Sequence, residues 1–322
     1  MDTERLRRLA NQIREKEETD RSLKTASLRQ KRMLPDPPEL ASFDFGFTYE
    51  PAAHVSGDFY DFIPVRDDVW GIVVADVSGH GVEAGIIMGM AKQAVKIFGR
   101  QNEEPTEVLS LANEELHRSL DGKTFVSLSY AVLDTETTVL KFARAGQCKP
   151  IMVNPSWKTA EPYVVESKGL ALGVDKGKRF RKIVEPIEIK LEPGDTFFQY
   201  TDGLAEAMNA TKEQFGEERI MALLKQYARS PAQELVEIVM EALKDFTRGA
   251  EQEDDITLLA LKYREPQPTT RVARFDFDLS SIPAPSAPAT TPQRTPPPTR
   301  DLPPPSPPPG KTGNGDLPNW MK

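Results

Sequence analysis

From Phe43 the chain alternates apolar and polar residues, "FDFGFTYEPA". Two further segments, "DFYDFIPVRDD" and "VWGIVVAD", follow. The pattern predicts three successive strands, with "RDD" turning the second into the third. The pattern then changes to helical spacing in "GVEAGIIMGMAKQAVKIFG", residues 81–99. Its many small residues predict close packing on a neighbour. Pro105 opens a second helix, to about Leu120, with Leu109, Leu116 and Leu120 on one face. "FVSLSYAVLD" and "TVLKFARAG", joined by "TET", read as an antiparallel hairpin. "PIMVN", "FRKIVEPIEIKL" and "DTFFQYTDG" read as strands, residues 216–227 and 231–248 as helices, and "DITLLALKY" as the last strand. Strands and helix pairs come in blocks, which favours an α+β domain with antiparallel sheets over a doubly wound parallel sheet. The expected architecture is a sandwich of two sheets with helix pairs outside.

Both flanks depart from this pattern. Residues 3–34 are charged, helical in character and free of Gly and Pro. Leu6, Leu9, Ile13, Leu23 and Leu34 fit a seven-residue a/d frame, which Lys16, Asp20, Ser27 and Gln30 interrupt. Two readings stand: a coiled-coil dimerisation or regulatory segment, or a solvated helix on its own domain. "LPDPPEL" ends the helix, because the residue before proline leaves the α region.

Of the 28 prolines, many lie between Ser281 and Gly310, where proline is almost the only apolar residue. Such a segment cannot bury enough surface to offset the entropy of ordering. The expected division is a helix at 1–34, a folded domain at 35–264 and a disordered Pro-rich tail at 265–322. "VARFDFDL", residues 272–279, is the exception and alternates like a strand. Truncation after Arg264 is expected to leave the function and the melting temperature of the domain nearly unchanged. A large drop in either would show that the tail docks on the domain.

The net charge of −8 argues against a nucleic-acid partner, which calls for a basic face. Cys148 is the only cysteine, which excludes an intrachain disulfide and a thiolate metal cluster. With no evident charge context to lower its thiol pKa, it reads as inert. The N-terminus has no apolar core of a signal peptide, and no apolar run approaches the ~18 residues of a membrane span. The expected location is the cytoplasm.

Four acidic sites share one setting. Asp58 sits in "SGDFYD", Asp76 ends "GIVVAD", Asp202 ends "FFQYTDG", and Asp254 and Asp255 begin "DDITLLAL". Each borders an apolar, β-rich segment. Carboxylates brought together there would repel one another unless they held hard cations, and an all-oxygen set points to Mg²⁺ or Mn²⁺. Any one aspartate alone is more often a turn or cap residue. The repetition of the setting carries the inference.

The motifs "PAAHVSGDFYDF", "VADVSGHGVEAG", "ARAGQCKPIMV", "LGV", "GDTFFQYTDGLAEAMN", "FG" and "DDITLLAL" resemble, in order and spacing, those of PPM-type protein phosphatases, in the SpoIIE/RsbU branch of bacterial serine phosphatases. The likeness spans about residues 30–263. It implies an αββα sandwich with two Mn²⁺ or Mg²⁺ ions at one edge. By position it implies that Asp76 bridges both ions, that the Val77 carbonyl ligates one, and that Asp58, Asp202 and Asp254 complete the site directly or through water. Asp76 and Asp58 are then the catalytic pair. Asp255 is a partial substitute, and Asp61 is expected to orient its loop by hydrogen bonds. Two positions depart from the family: Ser56-Gly57-Asp58 replaces Gly-Gly-Asp, and Ala145-Gly146-Gln147 replaces Ala-Gly-His. The second puts in doubt whatever the family's histidine does near substrate.

The resemblance implies direct attack of a metal-activated water on phosphorus, with no phosphoenzyme. Ser78 and His80 in "VSGHG" suggest a catalytic pair, but the glycines are better explained as the tight turn that opens the next helix. His80 remains a candidate general acid. The implied substrate is a phosphoserine on a STAS-domain anti-sigma-factor antagonist, and the implied self-partner is a homodimer through the N-terminal helix. The alternative class is an inactive scaffold whose "PPPTRDLPPPSPPPG" docks an aromatic groove.

Overall fold

The computed structural model describes residues 3–158 and 161–264, and the expectations for the Pro-rich tail and "VARFDFDL" lie outside the described residues. The described elements belong to one compact unit. They are α1 (Thr3–Lys31), β1 (Phe43–Glu50), β2 (Phe59–Arg66), β3 (Val69–Val77), α2 (Val82–Gly99), α3 (Pro105–Ser119), β4 (Val126–Asp134), β5 (Val139–Ala145), β6 (Ile151–Val153), β7 (Tyr163–Val164), α4 (Phe180–Ile183), β8 (Ile187–Lys190), β9 (Thr196–Tyr200), α5 (Asp202–Glu206), α6 (Gly216–Gln226), α7 (Ala232–Thr247) and β10 (Ile256–Tyr263).

Two antiparallel five-stranded sheets result, β1-β10-β9-β6-β7 and β2-β3-β4-β5-β8. They form the expected αββα sandwich. Period two divides each strand between two cores. Phe59, Ile63, Val73 and Ala75 face α2 and α3. Phe198, Tyr200, Leu258 and Ala260 face α6 and α7. Tyr60, Phe62, Val74, Phe142, Phe197 and Leu259 fill the space between the sheets. Burying each such side chain is worth about 1.5–3 kcal/mol.

The strand expected at 180–191 begins instead as the short helix α4, with only Ile187–Lys190 in the sheet. Asp175 Oδ1 accepts the N–H groups of Gly177, Arg179 and Phe180, which organises a helical turn. Pro186 then forces extended backbone before β8. Asp202, read as a strand end, opens α5.

The two halves of helix α1 differ. Leu9 and Ile13 are 53% and 51% exposed, so the apolar half of the a/d frame does not pack on its own domain. The interrupting residues lie in the other half. Asp20 pairs with His54 at 3.0 Å, and Gln30 is 7% exposed and bonded to the domain. Two of the four polar residues that spoil the coiled-coil frame, Asp20 and Gln30, dock the helix.

Candidate active site

Asp58 and Asp76 lie at one end of the sandwich interior. Asp58 shares the inter-sheet face of its strand with Tyr60 and Phe62, and Asp76 shares that face of β3 with Ile72 and Val74. Asp58 is 1% exposed. Its carboxyl is raised well above the usual range by burial first and by Asp76 next. Asp76 is pushed up to about 7 by burial, then by Asp202 and Asp254, while a hydrogen bond with Asp58 acts the other way. Asp202 and Asp254 are also raised, each by burial first, and Asp202 acts on Asp254. The four predicted carboxylates therefore share one field. Among the described residues no three His, Cys, Asp or Glu side chains close into a finished ligand cage.

The loop before β2 is held from three sides. Ser56 Oγ accepts the Asp58 N–H at 3.0 Å. Asp255 accepts the Ala52 N–H with Oδ1 and the Gly57 N–H with Oδ2. Both its oxygens are thus engaged in pinning the loop, whereas Asp254 accepts one backbone N–H, that of Asp255, with Oδ1 at 2.8 Å. Gln30 donates from Nε2 to the Ser56 carbonyl at 2.7 Å and accepts the Ser56 N–H with Oε1 at 3.0 Å. Gly57 permits a close approach: a Cβ there would stand 2.9 Å from the Val77 carbonyl oxygen.

Asp61 faces away from this edge. It is on the helix side of β2, in register with Val73, and its Oδ2 lies 2.5 Å from Lys92 Nζ and 3.7 Å from Lys96 Nζ. The expectation that it orients the loop becomes an ion pair that ties β2 to α2. Ser78 and His80 share no hydrogen bond, and the Ser78 hydroxyl instead accepts the Phe125 N–H at 2.9 Å. His80 is exposed and acts on Asp254 as an opposing charge. Cys148 does lie in a charged setting, an acidic one. Burial, with Asp202, Glu206 and Asp76, pushes its thiol up to about 12, so it stays protonated and unreactive.

Thr201 escaped the sequence reading. Its hydroxyl donates to Asp58 Oδ2 at 2.8 Å and accepts the Thr257 N–H at 2.9 Å. The signal was present: period two from Phe197 through Gln199 puts Thr201 on the inter-sheet face. Gln30 appeared in the sequence only as an interruption.

The family model described as Stage II sporulation protein E (SpoIIE) matches residues 66–264. The chain belongs to the SpoIIE family. By family and fold this SpoIIE-family chain is a PPM-type, or PP2C-type, protein phosphatase. Asp58 lies outside the matched segment, so its assignment rests on motif and geometry. The chain is similar to phosphoserine phosphatase RsbU of Bacillus subtilis, with 27% identity over 241 residues, covering 74% of this chain and 68% of that protein. It is also similar to protein IcfG of Synechocystis sp., with 27% identity over 251 residues, covering 70% of this chain but only 38% of that protein. Among solved structures it resembles the SiaA-PP2C domain of Pseudomonas aeruginosa, with 26% identity, a TM-score of 0.67, and coverage of 77% of this chain and 98% of that one. The RsbU and RsbW domains of a Mycobacterium tuberculosis protein match at 26% identity and a TM-score of 0.61, over 72% of this chain and 62% of that one.

Proposed function

We propose that the chain removes phosphate from phosphoserine or phosphothreonine in a protein, with two Mn²⁺ or Mg²⁺ ions at the Asp58–Asp76 edge, and that its substrate is a STAS-domain anti-sigma-factor antagonist. One observation carries the reading. Burial and neighbouring carboxylates, rather than basic side chains, dominate the state of Asp58 and Asp76. Buried acids so arranged call for cations, and an all-oxygen set of Asp58, Asp76, Asp202, Asp254 and the Val77 carbonyl fits hard ones. Bound ions would supply an activated water and neutralise charge on the phosphoryl oxygens.

The chain's own residues set the geometry. Thr201 orients the Asp58 carboxylate, Gly57 leaves the Val77 carbonyl accessible, and Asp255 fixes the loop between them. His80, exposed and acting on Asp254, is the candidate proton donor for the leaving serine. The similarity to a phosphoserine phosphatase supports the substrate type. The test is phosphate release from phosphorylated STAS-domain proteins of the same genome with Mn²⁺ added. Absence of Mn²⁺-dependent release from any phosphoserine protein would leave the scaffold class standing.

A weak homodimer through the exposed half of α1 completes the reading. Pairing along Leu9 and Ile13 would reach Asp58 through Gln30 and Ser56. Gln30→Ala strips two bonds from buried backbone, at about 1–3 kcal/mol. It is expected to lower turnover on protein substrate roughly tenfold while leaving self-association unchanged. Deleting residues 1–30 is expected to give a folded monomer with a similar deficit. Sedimentation across a concentration series checks both. A parent chain that stays monomeric, with a fully active deletion, would reduce α1 to a solvated arm.

A further inference from the structure

Three rows of side chains run inward from the carboxylate edge between the sheets. In the first, Thr201 donates to Asp58, and the Ser127 hydroxyl stands 3.5 Å from Asp76 Oδ2. The third is apolar: Phe142 and Phe197 meet edge-on at 5.5 Å, with Ala131 paired to Phe142. Period two fixes what lies between. Gln199 falls midway from Thr201 to Phe197 on β9, and Ser129 midway from Ser127 to Ala131 on β4. Arg144, two residues beyond Phe142 on β5, pairs with Ser129.

This middle row is polar yet buried. Gln199 is 2% exposed and Ser129 1%. Neither amide atom of Gln199 nor the Ser129 hydroxyl has a hydrogen-bond partner. Gln147, on the crossover from β5 to β6, spends Oε1 on the Cys148 N–H and leaves a buried Nε2 unpartnered. Arg144 does not relieve them, since its guanidinium donates to the Gln147 carbonyl and to the carbonyl and hydroxyl of Ser167.

A buried unpaired polar atom costs about 1–3 kcal/mol, so these four would consume most of a domain's net stability of about 5–15 kcal/mol. We propose that Gln199, Ser129 and Gln147 form an internal water-binding site behind the carboxylate edge. The water positions the Thr201–Asp58 row against the interior. The unpaired set contains an amide oxygen, two amide N–H₂ groups and a hydroxyl. A ligand must both donate and accept to satisfy it. Water does so; a cation would be repelled by the N–H₂ groups, and an anion by the amide oxygen and nearby carboxylates. Water held this way needs two to four polar partners, which the row supplies.

Only the metal-affinity arm of the test rests on the proposed function. The first arm is a crystal structure of the metal-free protein in which water is resolved. Density bridging Gln199 and Ser129 is expected, and its absence would overturn the site. The second arm compares Gln199→Met, similar in shape but without hydrogen bonds, and Ser129→Ala with Ser129→Thr. Gln199→Met is expected to lose the water, lower the metal-free melting temperature and weaken Mn²⁺ binding by calorimetry about tenfold. Turnover on p-nitrophenyl phosphate should fall similarly with KM unchanged. Ser129→Ala should weaken binding in part, and Ser129→Thr should preserve it. If Gln199→Met melts higher and binds Mn²⁺ as the parent does, the row is a packing defect and the proposal fails. Water present with Mn²⁺ affinity unchanged in every variant would overturn the positioning role. A parent that binds no Mn²⁺ would instead refute the metal site, while the density and melting arms still judge the water.

Discussion

Asp76→Asn is expected to abolish metal-dependent phosphatase activity and to leave the fold intact. The amide keeps the shape of the side chain and loses the charge assigned to hold two cations. A loss of about 4 kcal/mol in transition-state stabilisation corresponds to roughly a thousandfold in turnover. The metal-free variant should also melt higher than its parent at neutral pH. A carboxyl held up to about 7 costs stability once the pH exceeds its lower unfolded value, and the amide removes that cost. Turnover on p-nitrophenyl phosphate with Mn²⁺, and melting in chelator, measure the two halves. Near-parental turnover would sink the metal assignment.

Lys92→Met is expected to cause the largest loss of stability, about 3 kcal/mol in urea unfolding. Lys92 and Asp61 are buried together 2.5 Å apart, and Lys92 also donates to the Tyr60 carbonyl at 3.1 Å. Removing the lysine strands a carboxylate under α2. Lys96, at 3.7 Å and partly exposed, offsets only part of the loss. The double variant Lys92→Met/Asp61→Leu should recover most of it, because an apolar pair of similar volume needs no partner. A single-variant loss below about 1 kcal/mol, or no recovery in the double, would show that the ion pair does not govern how α2 sits on β2.

Part of the site was legible in the chain. Period two separates Asp58 from Asp61 as soon as β2 is recognised, since residues three apart on a strand point to opposite faces. The same rule puts Gln199 and Thr201 on one face of β9. The acidic strand ends, the helix after "VSGHG" and the block order of elements were readable for the same reason: periodicity and turn chemistry are local.

What required the tertiary structure was every partnership across long stretches of sequence. β1 does not pair with β2, which follows it, but with β10, as Phe43 faces Tyr263. That pairing brings Asp255 to the loop before Asp58. Thr201 reaches Asp58 across 143 residues, and Gln30 reaches Ser56 across 26. In the sequence Asp255 looked like a spare ligand, Gln30 like a flaw in a heptad, and "FRKI" like a strand. Each reading changed because a buried polar group takes whatever partner the packed fold brings near, and local patterning constrains which face a side chain occupies but not what waits opposite it.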